Sequence, residues 1–180
     1  MEKDMNVEKD LIALVKAFQE AENRHDIEAV MGMFADDAEF EMVGQARVKG
    51  KDQIRPIFDY DVGVHTDLQF FDFKCEGNTV TCQVVERNDR MKAAGLEKLL
   101  YPSCSLVFRD QLIEKFTASP EAESIRSVAE VMQRFLPWIQ KYYPEDCLKL
   151  FTPDGRFIRN RQNGERAVLL MKEWRDSGGK

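Results

Sequence analysis

Residues 26–50, DIEAVMGMFADDAEFEMVGQARVKG, change their hydrophobic period inside one short span, and few folds accommodate that change. Asp26 is a good helix cap, and Ile27, Val30, Met31 and Phe34 come after it at helical spacing. The run Ala35, Asp36, Asp37 reads as a turn that stops this helix. Phe40 and Met42 then alternate with Glu39 and Glu41, which is the period of a strand. Gly44 and Gly50 punctuate the residues after the strand, and KDQIRPIF starts another short helix.

The flanking segments extend the pattern. Residues 7–24 predict a first helix, with Leu11, Leu14, Val15 and Phe18 as its apolar stripe and Glu, Lys and Gln opposite. Residues 51–60 predict the third helix. LQFFDFKCEG carries apolar residues of both parities, which predicts a strand covered on both faces. Gly77 and Asn78 form a turn into TVTCQVVERND, an antiparallel partner on which Val80, Cys82, Val84, Glu86 and Asn88 share one side. Residues 90–99 are a helical or irregular excursion, with Gly95 against a clean helix. A last hairpin turns near Asp110 and Gln111. Helices first and antiparallel strands afterwards are the arrangement of an α+β fold.

Ser119 and Pro120 then suit the start of a helical extension, as cap and first helical residue. Ile125, Val128, Met132, Phe135, Leu136 and Ile139 mark its apolar face, and Pro137 predicts a kink or restart. The expected organisation is a domain over 1–119 and a helical extension over 120–180. The extension must bury its stripe, and three places are open to it: the side of the domain, the open end of the sheet, or a second subunit.

Composition narrows the partners. The 180 residues carry 26 Lys+Arg against 32 Asp+Glu, a net charge of -6, which argues against a nucleic-acid backbone as partner. The charged start MEKDMNVEKD is not the pattern of a signal peptide or a membrane span. The four cysteines lie far apart in apolar or strand-like contexts, as reduced small hydrophobes of a cytoplasmic protein do. Two histidines forty positions apart make no metal ligand set, and no phosphate loop or nucleophile elbow is present, so neither metal nor cofactor is expected.

HDIEAVMGMFADDAEFE closely resembles the second helix and first strand of the nuclear transport factor 2-like superfamily, which includes ketosteroid isomerases and polyketide cyclases of the SnoaL type. The resemblance implies a cone-shaped, curved antiparallel sheet around three N-terminal helices, here with C-terminal helices added. It also implies a homodimer through the outer face of the sheet. In the isomerases the general base would come directly after Glu41, where this chain has Met42, and the oxyanion-donating tyrosine would fall at Phe18. Neither residue can move a proton or donate a hydrogen bond, so steroid isomerisation of that kind is rejected.

Glu86 is the candidate base. Asn88 and Tyr101 are candidate polar anchors, Asp61 a group closing the mouth, and Phe18, Phe34, Phe40 and Met42 the apolar walls. This assignment describes a cofactor-free acid-base enzyme, an isomerase, cyclase or hydrolase, acting on an apolar molecule with a carbonyl or hydroxyl. The competing readings are a non-catalytic module that holds a hydrophobic ligand, and a structural dimer whose cone is filled with side chains. On the blander reading, Glu86 and Asn88 lie beyond the pocket, paired with neighbours such as Arg87 or Arg109 or with solvent.

Overall fold

The computed structural model describes the backbone over residues 2–179 and side chains over residues 8–179. Helices α1 (Glu2–Asn23) and α2 (Ile27–Gly32) are followed by strands β1 (Phe34–Met42) and β2 (Ala46–Lys49) and helix α3 (Lys51–Gly63). Strands β3 (Asp67–Glu76) and β4 (Thr79–Arg87), helix α4 (Asp89–Ala94), and strands β5 (Leu99–Arg109) and β6 (Leu112–Ser119) complete the curved, six-stranded open sheet. Helices α5 (Ala122–Tyr142), α6 (Pro144–Leu150) and α7 (Arg161–Asp176) form the extension. The sheet order is β2-β1-β6-β5-β4-β3, antiparallel except for β1, which lies parallel to β6. The α+β cone with C-terminal helices is the predicted architecture.

Helix α1 crosses the concave face, and Phe18 is its deepest side chain, wholly buried. The rings of Phe34, Phe58, Phe70 and Phe116 meet it edge-on, with centroids 5.9, 5.7, 6.1 and 5.8 Å away. Each such pair is worth about 0.5–1.5 kcal/mol beyond the area it buries. The same helix finishes the edge of the sheet. Gln19 accepts from the Phe70 amide at 2.7 Å, and Asn23 both accepts from the Leu68 amide at 2.8 Å and donates to the Leu68 carbonyl at 2.9 Å. Backbone groups of an edge strand that would otherwise lack partners are thereby satisfied.

Several local expectations need correction. Residues 35–37 are not a turn: α2 ends at Gly32, and β1 runs from Phe34 straight through them. Asp36 and Asp37 instead point outward and pair with Lys51 and Arg109. The two apolar parities of β3 do not signal cover on both faces. A bulge at Asp72, whose φ is +54°, places Asp72 and Phe73 opposite Cys82 alone, and Gln83 holds it through a 3.0 Å hydrogen bond to Asp72. Leu68 and Phe70 face the core before the bulge, Phe73 and Cys75 after it. Gly95, with φ +79°, is the left-handed cap that ends α4 rather than a defect within it. Helix α5 starts after Glu121, not at Ser119, and continues through Pro137.

The extension packs on the side of the domain. Val131, Phe135, Ile139, Leu170, Met171 and Trp174 form a second core that includes Ala94 of α4. Tyr60 and Val64 of α3 meet Val168 of α7. The crossing of α3 and α7 is close enough to demand glycine twice. A Cβ on Gly63 would lie 2.3 Å from the Arg161 carbonyl oxygen, and one on Gly164 would lie 3.1 Å from the Tyr60 carbonyl oxygen. Gly63→Ala is therefore expected to destabilise the protein by about 2–4 kcal/mol in urea unfolding. Gly32→Ala, where a Cβ meets nothing within 4 Å, should leave stability unchanged or raise it by up to about 1 kcal/mol.

Candidate functional site

Strand β4 directs Val80, Cys82 and Val84 into the core, and the next residue of that parity, Glu86, comes where the cone opens. Tyr101 of β5 is buried, and its hydroxyl donates to Glu86 Oε2 at 2.6 Å. Asn88 Nδ2 donates to Glu86 Oε1 at 2.8 Å. The other end of that amide is already committed, because Asn88 Oδ1 accepts from the Met91 amide as the N-cap of α4. Capping thus fixes the amide so that its N–H donor faces Glu86. Both carboxyl oxygens of Glu86 act as acceptors.

Two further carboxyls approach from the helices. Asp61, on the last turn of α3, accepts from the Thr66 hydroxyl at 3.1 Å. Burial lifts it well above the usual carboxylate range; the Glu86 charge adds to this, while Thr66 and Arg159 partly oppose it. Glu22 of α1 is only 3% exposed. Burial, followed by the charges of Asp61 and Glu86, raises it from 4.5 to about 9. Among the described residues its side chain makes no hydrogen bond. Burial also raises the Tyr101 phenol well above its ordinary range, and the Glu86 carboxylate it donates to adds to this, so it remains a donor. The site therefore brings two carboxyls raised by burial, Glu22 to about 9 and Asp61 well above its ordinary range, next to an acceptor carboxyl braced by a phenol and an amide.

These groups border a cavity of about 50 Å³. Asp61, Glu86 and Tyr101 form its polar side, and Phe40, Met42, Phe58, Phe70 and Phe116 its apolar side. Of the wall residues expected from the sequence, Phe40 and Met42 line it. Phe18 and Phe34 do not, because each is spent on the edge-to-face aromatic cluster beneath. Asn88 reaches the site through Glu86 rather than the cavity wall. Outside Tyr101 lies a second hollow of about 230 Å³, bordered by Gln45, Leu99, Pro120, Ile125 and Val128. Tyr101 is common to both hollows.

Two residues at the site escape the sequence reading. Glu22 had a signal: it lies four residues after Phe18, on the stripe of Leu11, Val15 and Phe18, where a carboxyl is out of place. Arg159 had none, since only the docking of the extension brings it to the mouth, where Nη2 lies 3.5 Å from Gln45 Oε1 and 3.9 Å from Met42 Sδ. The two histidines meet away from the cavity, with ring centroids 5.6 Å apart. His65 pairs with Asp89 at 2.9 Å, and His25 donates to the Thr66 carbonyl at 3.1 Å. Among the described residues, no group of three or more His, Cys, Asp or Glu side chains is arranged to hold a metal. Cys82 and Cys104 are opposite one another across β4 and β5, and burial pushes both thiols up to about 12.

Residues 15–100 match the SnoaL-like domain family. Structural likeness extends to PrhC of Penicillium brasilianum, with 13% identity, a TM-score of 0.60, and coverage of 71% of this chain and 90% of that one. SalBIII, an epoxide hydrolase/cyclase-like enzyme of pyran ring formation in the polyether salinomycin, is similar at 15% identity and a TM-score of 0.58, over 65% of this chain and 95% of its own. An LEH-like epoxide hydrolase of M. tuberculosis is similar at 15% identity and a TM-score of 0.56, over 72% of this chain and 96% of its own. At these identities the likeness is one of fold. None of the curated protein sequences matches. No helix among the described residues is long and apolar enough to cross a membrane.

The elevated Glu22 carboxyl has a consequence for stability. Its contribution is fully present below the ordinary value of 4.5 and is lost as pH rises towards about 9, because the unfolded chain releases this proton first. Glu22→Gln should therefore melt close to the wild type below pH 4.5 and about 5 °C or more above it near pH 9, as read by thermal unfolding across pH.

Proposed function

We propose that this chain, a member of the nuclear transport factor 2-like superfamily whose residues 15–100 are a SnoaL-like domain, is a cofactor-free acid-base enzyme acting on a small apolar molecule with an oxygen function. Asp61 supplies the proton to the substrate oxygen. Glu86 takes one from water, a hydroxyl or an acidic carbon, while Tyr101 and Asn88 hold its carboxyl in place. The observation that carries this reading is the meeting, on the border of one cavity, of Asp61, whose carboxyl burial lifts well above the usual range, with Glu86, whose two oxygens accept from Tyr101 and Asn88. Opening of an epoxide needs such a pair, an acid at the ring oxygen and a base at the incoming nucleophile. Epoxide hydrolysis and cyclisation are the activities for which the M. tuberculosis protein and SalBIII are described.

A second reading, a binding module without turnover, is favoured by one observation. The cavity of about 50 Å³ is well below the ~300 Å³ at which substrate pockets usually begin. It holds a few waters or the reactive end of a substrate, and the rest of a larger molecule must lie outside Tyr101.

A panel of aryl epoxides, assayed for diol formation, and of aryl ketones, assayed for exchange of acidic C–H for deuterium, separates the two readings. Turnover by the wild type, reduced by about 10²–10⁴ in kcat/KM in Glu86→Gln and again in Asp61→Asn with circular dichroism unchanged, is the expected result. Compounds that bind without any conversion would leave the binding module as the function.

A further inference from the structure

The extension delivers a cation to the mouth of the cavity. Arg159 lies just before α7 and is half-buried. Arg47, Arg55, Arg109, Arg156, Arg161 and Arg166 each hold a carboxylate. Among the described residues Arg159 holds none, as is true also of Arg87, Arg90, Arg126, Arg134 and Arg175, but it is Arg159 that reaches Met42 and Gln45. A guanidinium has five N–H donors in a planar fork. Those of Arg159 have only the long contacts to Gln45 Oε1 at 3.5 Å and Met42 Sδ at 3.9 Å, both at the weak limit of hydrogen bonding. Met42 borders the inner cavity, and Gln45 borders the outer hollow. Arg159 lines neither hollow itself but touches a residue of each, and its charge is felt by Asp61 and Tyr101.

We propose that Arg159 anchors the carboxylate of an otherwise apolar ligand whose body occupies the inner cavity and the outer hollow. The proposal rests on the reading of the cavity as a ligand site and names the class of molecule it takes. The flat fork of one arginine matches a carboxylate in a two-point contact. A phosphate dianion would call for more positive charge, but the neighbouring Arg90 is engaged with the Tyr60 hydroxyl at 2.8 Å and with the rings of Tyr60 and Phe157. The walls on both sides, Phe40 and Phe116 within and Leu99, Ile125 and Val128 outside, suit an apolar body. Neither hollow alone reaches ~300 Å³, and taken together, at about 50 and 230 Å³, they approach it. Burial lifts the Asp61 and Glu22 carboxyls above their ordinary range, which lowers the negative charge an acid meets at the mouth, and the oxygens of Glu86 are taken up by Tyr101 and Asn88.

The test compares naphthoate with its neutral counterpart naphthalenemethanol, titrated calorimetrically into the wild type, Arg159→Met, Arg159→Lys and Glu86→Gln. The wild type should bind naphthoate about tenfold or more tightly than the alcohol. Arg159→Met should lose that preference while its affinity for the alcohol changes by less than about threefold, and Arg159→Lys should keep part of it. Should the methionine variant fail to fold, a reduced but surviving preference in Arg159→Lys supports the proposal, and an unchanged one overturns it. Equal wild-type affinities, a full preference remaining in folded Arg159→Met, or no binding of either probe at millimolar concentration overturns the proposal. Glu86→Gln should keep its preference for naphthoate whatever happens to turnover, so a failed catalytic reading and a failed anchor give different results.

Discussion

The Phe18 ring sets the depth of the cone. It is surrounded edge-on by Phe34, Phe58, Phe70 and Phe116, from α3 and three different strands, so it ties the first helix to both halves of the sheet at once. A residue with a hydroxyl at this place would need a partner that these rings do not offer. Filling the floor with aromatic carbon leaves only a small space above it and moves every polar group of the site to the rim. The polar groups lie at the mouth because the bottom is solid.

At the rim, three carboxyls sit close together without all being charged. Two helices bring in Glu22 and Asp61, and burial raises both above the usual carboxylate range. The strand residue, Glu86, receives the available donors from Tyr101 and Asn88. This division is a result of local geometry. The strand end carries a capping asparagine whose free amide end has nowhere else to point, whereas the α1 position faces hydrocarbon on the rest of its stripe. The segment before α7 adds a positive charge, that of Arg159, and it comes from outside the minimal cone.

Much of the fold was legible because it depends on local period. The change from helix to strand within residues 26–50 survives in three dimensions, although it comes at Met33 and not after Phe34, and so does the side shared by Val80, Cys82, Val84 and Glu86. Errors arose where a single backbone angle changes parity. Asp72 looks like any other β3 residue in the sequence, yet its positive φ turns the second half of the strand over and makes both faces look apolar. The site was legible to the extent that it is built on regular strands, which is how Glu86 and Tyr101 could be named together. Glu22 was misjudged because its stripe was traced only as far as Phe18. Arg159 depends on how a distant segment docks, and no periodicity encodes that.

The bare patch shared by Gly63 and Gly164 governs more than the seating of a helix. Asp61 stands two residues before Gly63 in the same helix, and Arg159 two residues before the carbonyl pressed against it. The acid and the guanidinium are thus set by a single backbone joint that works like a dowel. The spacing between the Asp61 carboxyl and the Arg159 guanidinium follows from two missing methyl groups.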